Sequence, residues 1–157
     1  MKATGQATGT TGATFRPFDT YRPDVDDSTA SPRVLVIGLD PHRVPGPWDP
    51  QPVADAIEAG LKTFGDHGVE VETCLIGLDG SDDVEALVGN ALSAHRWECV
   101  TIGGGLRHSD DLVELLEQVV NLVRRHAPDA AIAFNSSPAT TYEAAARWIE
   151  RRRVEPR

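Results

Sequence analysis

The chain has 157 residues, of which 40% are hydrophobic and 25% charged, enough for one domain with a buried core. Its formal net charge of −9 argues against binding to the phosphate backbone of nucleic acids, which requires a clustered basic surface. No stretch approaches the roughly 20 apolar residues of a membrane helix, and the N-terminus lacks the apolar core of a secretory signal. We therefore expect a cytoplasmic protein without nucleic-acid or membrane partners.

The two cysteines, Cys74 and Cys99, lie inside apolar runs that read as strands, so we expect buried, reduced thiols. The chain has no Cys/His pattern with metal-ligand spacing, and we expect no metal site. Arginine outnumbers lysine 13 to 2, which suggests a GC-rich bacterial genome and indicates nothing about function.

Residues 1–32 lack apolar periodicity and are rich in Thr, Gly, Ala, Pro and Asp, which predicts a flexible N-terminal arm. Within it, residues 15–23 carry three aromatic residues and two Arg-Pro pairs. This density predicts either a simple extended arm or a segment that packs on its own domain or on a second subunit. We assign residues 33–157 to a single domain.

Strands and helices alternate regularly from residue 33 onward. A short continuous apolar run at about 33–39 predicts a strand covered on both faces. Further strands are predicted at about 69–78, 98–102 and 130–134. Each is followed by a stretch with apolar residues at helical spacing, at about 52–66, 82–95, 109–127 and from 138 onward. Ser109 and Ser137 stand where helix caps are expected.

The order βαβαβαβα predicts a three-layer α/β/α sandwich built on a four-stranded parallel sheet. We favour the strand order 2-1-3-4, with the first and last helices on one face and the middle two on the other. This is the flavodoxin-like arrangement without its fifth strand. The order 3-2-1-4 is the alternative.

In such sheets, ligands bind at the carboxyl ends of the strands where the strand order reverses, here between the first and third strands. The residues of the loops that meet there, together with those after the fourth strand, are our candidate site. They are Asp40, His42, Arg43, Trp48, Gly103, Gly104, Gly105, Arg107, Asn135 and Ser136.

Each of these residues has a predicted role. Asp40 and His42 are candidates for acid–base chemistry, because a carboxylate can orient an imidazole; the alternative is that Asp40 caps a turn and His42 is merely exposed. Arg43 and Arg107 would bind an anionic group, or else pair with surface aspartates. We expect His42 and Arg107 to face one pocket.

The backbone and the long loop add further expectations. Gly103 to Gly105 would form a wall or cradle for a ligand, or else a plain tight turn. Trp48 lies in a proline-rich loop too long for an ordinary connection, and would be a lid or a subunit contact. Asn135 and Ser136 would add polar groups beside the crevice.

Asp40-Pro41-His42, followed by Gly46, resembles the Asp-x-His-x-x-Gly motif of cobalamin-binding domains, with the glycine one residue later. That family is also flavodoxin-like, and the resemblance implies that His42 would coordinate cobalt. Similarity to response-regulator receiver domains extends only to the outline, since Gly103 stands where the phosphorylatable aspartate is needed.

The sequence thus predicts a small-molecule enzyme or binding protein for an anionic ligand, with no cofactor identified. The alternatives are a non-catalytic subunit of a homo-oligomer, formed through the arm and the helices, and a cobalamin-binding domain.

Overall fold

The computed structural model of the protein describes residues 30–154. The strands are Arg33–Leu39 (β1), Glu70–Ile76 (β2), Cys99–Ile102 (β3) and Ala131–Phe134 (β4), and the helices are Gln51–Asp66 (α1), Val84–Ser93 (α2), Val113–His126 (α3) and Thr141–Val154 (α4). The eight predicted elements are therefore all present. The predicted N-terminal arm lies outside the described residues, apart from its last three positions.

The four strands form one parallel sheet in the order β2-β1-β3-β4, which confirms the predicted topology. In the register, Ile37 of β1 pairs with Cys74 of β2 on one side and Ile102 of β3 on the other. The strand order reverses beside β1, because the chain adds β2 on one side of this strand and β3 on the other. The fold is an α/β sandwich of the flavodoxin-like kind.

The core consists of two layers separated by the sheet. Alternate residues of β1 point to opposite faces: Leu35 and Ile37 pack in the layer under α2 and α3, whereas Val34 and Val36 pack in the layer under α1 and α4. Phe64 of α1 is fully buried in the second layer. The helices are distributed over the two faces as predicted.

Local sequence signals explain where most helices begin, with two differences from the predicted starts. Asp83 caps α2, its carboxylate accepting a hydrogen bond from the Ala86 amide at 3.1 Å. Ser109 and Ser137 instead each precede a short 3-10 turn, and α3 and α4 begin directly after these turns. Within residues 30–154, no helix is both long and apolar enough to cross a bilayer.

Candidate functional site

A cavity of about 370 Å³ opens at the carboxyl ends of the strands, on the face covered by α1 and α4. Its volume is at the lower end of the range of small-molecule sites, about 300 to 1,000 Å³. The residues that line it are Val36, Gly38, Leu39, Pro41, Val44, Trp48, Val53, Ile57, Leu61, Leu75, Gly103, Gly104, Gly105, His108, Asn135, Ser136, Ser137, Pro138 and Thr141. Most of this wall is apolar, with a polar strip after β3 and β4.

The sheet opens into a cavity because two adjacent strands each place a glycine on the same face. Val34 and Val36 face the α1/α4 layer, so the next residue on that face is Gly38. In β3 the same alternation leads from Thr101 to Gly103. A Cβ on Gly103 would lie 3.4 Å from the Gly38 Cα, and one on Gly38 would meet only Leu75, at 3.9 Å. Bare backbone therefore forms this wall of the cavity.

Helix α1 supplies the opposite wall. Val53, Ile57 and Leu61 follow one another at intervals of four residues and line the cavity along one helix face. The sequence indicated them only as a continuous core stripe, but the buried part of α1 is confined to Gly60 and Phe64. Trp48 adds its indole to the wall and is 39% exposed, with its Nε1 donating to the Val44 carbonyl at 3.1 Å.

Asn135 joins the polar strip to the rest of the fold. Its side chain is 5% exposed, and its Oδ1 accepts a hydrogen bond from the Gly104 amide at 2.8 Å. Its Nδ2 donates to Thr141 Oγ1, also at 2.8 Å, and that hydroxyl donates to the Pro138 carbonyl at 2.7 Å. The sequence left Asn135 without a structural task, and the structure shows one: it holds the glycine loop against the start of α4.

Gly103 precedes a short 3-10 turn, Gly104–Leu106, which contains the other two glycines of the triplet and is anchored by the fully buried Leu106. The glycines with positive φ in the described part of the chain are Gly46, Gly68 and Gly80, so left-handed geometry is not the reason for the triplet. At Gly104 the space is tight, because a Cβ there would lie 3.0 Å from His108 Nε2.

Asp40 and His42 do not form an acid–base pair. Asp40 Oδ1 accepts a hydrogen bond from the His42 amide at 3.0 Å, and Oδ2 accepts one from Arg43 Nε at 3.0 Å. The carboxylate thus caps the turn Pro41–Arg43, and the His42 side chain is exposed outside the cavity lining. The geometry does not supply the oriented imidazole that the sequence suggested.

Arg43 connects the loop after β1 to the loop after β2. Its NH1 donates to Asp82 Oδ2 at 2.8 Å and its NH2 to the Leu75 carbonyl at 3.1 Å, in addition to the contact with Asp40. The two carboxylates raise the pKa of Arg43, and the guanidinium lowers the pKa of Asp82, helped by a hydrogen bond from the Gly77 amide. Of the two predicted roles, the structure shows pairing with aspartates, and the partners of Arg43 are Asp40 and Asp82.

We expect Arg43→Met to lower the free energy of unfolding, because it leaves Asp82 without its main partner. Since the pKa of Asp82 is depressed in the folded state, the stabilisation is present above the ordinary aspartate pKa and is lost as the pH falls through the depressed one. Urea titrations of both proteins should differ at about pH 7 and converge in strong acid. An equal difference at every pH would contradict this assignment. Arg33→Met, at an exposed ion pair with Glu70, is the control.

Arg107 lies beside the cavity, whereas Ser136 lines it. The Arg107 guanidinium donates to the Asn135 carbonyl and lies 5.5 Å from the centre of the Phe134 ring, and Arg107 is not in the lining. His42 and Arg107 therefore do not face one pocket, contrary to expectation. Ser136 does line the cavity, with its hydroxyl 3.2 Å from Thr140 Oγ1.

His108 is the site residue that sequence reasoning did not select. It belongs to the loop after β3, and it is the one ionisable side chain among the described residues that line the cavity. Its ring lies against Gly104, in space that any side chain there would occupy. The sequence gives only its place three residues after the glycine triplet, which does not reveal that the 3-10 turn brings it back to the crevice.

The other candidate groups are unsuited to chemistry in this cavity. Burial raises the pKa of the Cys74 and Cys99 thiols to about 11, and both are free and buried, as the sequence predicted. Residues 30–154 contain no group of three His, Cys, Asp or Glu side chains placed to share a metal ion. His108 is thus the group within the described wall that could exchange a proton with a ligand.

No protein-family model matches the chain, and no curated protein is significantly similar to it.

Proposed function

We propose that this protein binds a small, mainly apolar molecule in the cavity at the carboxyl ends of β1, β3 and β4. The observation that carries the proposal is the cavity itself, where Gly38 and Gly103 leave the sheet bare opposite the Val53, Ile57 and Leu61 face of α1. Preformed, largely apolar concavities with a few polar groups at one side are typical of ligand sites. If the bound molecule is also transformed, His108 is the residue placed to move a proton.

The arrangement is not a by-product of loose packing. Elsewhere on this face, large side chains such as Phe64 are fully buried. The opening lies where two glycines coincide at the point where the strand order reverses, which is where ligands bind in parallel sheets.

The proposal is tested by filling the cavity from the sheet. Gly38→Val places two methyl groups where only Leu75 lies within 4 Å, so we expect it to fold and to abolish binding. Binding of a panel of small aromatic and aliphatic molecules is followed through the NMR signal of the Trp48 indole N–H. Molecules that bind the native protein but not Gly38→Val support the proposal. Binding that is unaffected by this substitution would refute it.

A second substitution has a matched control on another helix. Val53→Phe enlarges a side chain at the cavity wall, whereas Val113→Phe enlarges an equally accessible valine at the start of α3, outside the lining. The two valines are 39% and 46% exposed, so both variants should fold. Only Val53→Phe is expected to weaken binding, by about tenfold if it removes half of the apolar contact.

A further inference from the structure

We propose that the ligand is an apolar monocarboxylate whose carboxylate is bound by His108, an inference that rests on the function proposed above. The wall is mostly apolar and contains one side chain that can carry charge. The charge of the wall therefore restricts the charge of the ligand. No aspartate, glutamate, lysine or arginine is among the described lining residues.

Ligands with several phosphate charges do not suit this cavity. Both arginines that follow β1 and β3 are engaged elsewhere: Arg43 by Asp40 and Asp82, and Arg107 by the Asn135 carbonyl and the Phe134 ring. Two or more negative charges would enter an apolar space with one histidine as their partner. The cost of removing unpaired charges from water is too large for such binding.

Ligands with an amino group are disfavoured for the opposite reason. A buried ammonium group needs a carboxylate or several carbonyl acceptors, and the carboxylate of Asp40, which lies between the lining residues Leu39 and Pro41 in the chain, already caps a turn and pairs with Arg43. The polar strip instead presents donors, the His108 imidazole and the Ser136 hydroxyl. Donors of this kind match an acidic oxygen of the ligand.

The position of His108 at one side of an apolar cavity indicates a ligand with one polar end and one apolar end. The residue is exposed as well as lining the cavity, so its ring lies at the edge of the opening, against Gly104. The aliphatic side chains of α1 and the Trp48 indole form the remaining wall. A molecule with an apolar body and one carboxylate can bury the body and keep its charged end beside His108 and water.

The test uses three probes that share one apolar body: 4-phenylbutyrate, 4-phenylbutan-1-ol and 4-phenylbutan-1-amine. Each is titrated into the full chain and followed by the Trp48 indole signal. We expect the carboxylate to bind about tenfold more tightly than the alcohol, and the amine most weakly, since a hydrogen bond to a charged group contributes that much. His108→Ala should reduce the carboxylate-to-alcohol ratio to about one.

His108→Gln and His42→Ala complete the design. The glutamine keeps an N–H donor and should restore part of the carboxylate preference, whereas His42, exposed outside the lining, should have no effect. If carboxylate and alcohol bind equally and Gly38→Val blocks both, the ligand class is refuted and the proposed function stands. If the amine binds most tightly, the ligand class is also refuted. If none of the probes shows binding that Gly38→Val blocks, both proposals fail.

Discussion

Gly60→Ala is expected to lower the free energy of unfolding by about 3 kcal/mol, the upper part of the range for inserting atoms into a packed core. Gly60 is buried in α1 where the helix crosses the turn Pro138–Thr140. A Cβ at this position would lie 2.3 Å from the Pro138 carbonyl oxygen. The added Cβ is fixed to the backbone of α1, and the oxygen belongs to the backbone of Pro138. The clash between them can therefore be relieved only if α1 moves away from the start of α4.

Gly65 provides the control within the same helix. A Cβ on Gly65 has nothing within 4 Å, so Gly65→Ala should stabilise the protein by roughly 0.5 to 1 kcal/mol through the better helix propensity of alanine. Urea unfolding followed by circular dichroism measures both variants. Equal effects of the two substitutions would show that the close crossing of α1 over Pro138 is absent in solution.

The same crossing links stability to the cavity. Val53, Ile57 and Leu61 extend from α1 into the wall, and Pro138 is part of the wall on the other side. A displacement of α1 that accommodates the added methyl group would therefore change the distance between two walls. We expect any Gly60→Ala protein that remains folded to lose affinity for the probes along with stability.

The architecture was predictable because it depends on patterns that repeat along the chain. The two central strands, β1 and β3, are short apolar runs that are buried almost throughout, and each helix shows its apolar residues at helical spacing. Four such alternations, together with right-handed crossovers, leave few possible topologies. Errors were confined to element ends, as at Ser109 and Ser137, where a 3-10 turn and a first helical turn present the same capping residues.

The topology predicted where the cavity opens, but not where the charged side chains around it point. The crevice lies at the strand ends where the topology placed it, and Trp48, Gly103, Gly104, Gly105, Asn135 and Ser136 line it. The charged candidates do not, because side-chain direction depends on contacts between loops distant in sequence. Arg43 meets Asp82 across 39 residues of chain, a pairing that no local pattern specifies.

The part that Gly38 plays in opening the cavity escaped sequence reasoning, although its cause is local. Gly38 and Gly103 each continue an alternating pattern on the same face of the sheet, but they coincide only because β1 and β3 pair in a particular register. In that register, Val34 of β1 lies opposite Cys99 of β3. Neither the pairing nor the register can be read from either strand alone.

Whether the protein assembles into oligomers stays a prediction, and the aromatic segment at 15–23 lies outside the described residues.

Asn135→Ala is expected to lower the free energy of unfolding by about 3 kcal/mol, because it removes one side chain that satisfies two buried groups. The Gly104 amide would lose its acceptor, and the Thr141 hydroxyl would lose its donor. Asn121→Ala is the control, since Asn121 is exposed and donates only to the Glu117 carbonyl one turn earlier in α3. Its effect should remain within about 0.5 kcal/mol.

Asn135→Asp separates the loss of hydrogen bonds from the loss of packing, because its shape is nearly that of asparagine. The aspartate can still accept from the Gly104 amide, but its second oxygen replaces the Nδ2 donor to Thr141 Oγ1. At neutral pH it also places a charge at a position that is 5% exposed, so we expect a loss at least equal to that of alanine. Burial should raise the pKa of the new carboxyl, so protonation restores a donor and stability recovers as the pH falls. Urea titrations across the acid range measure this recovery. A variant as stable as the native protein at neutral pH would contradict the role assigned to the Asn135 Nδ2 donor.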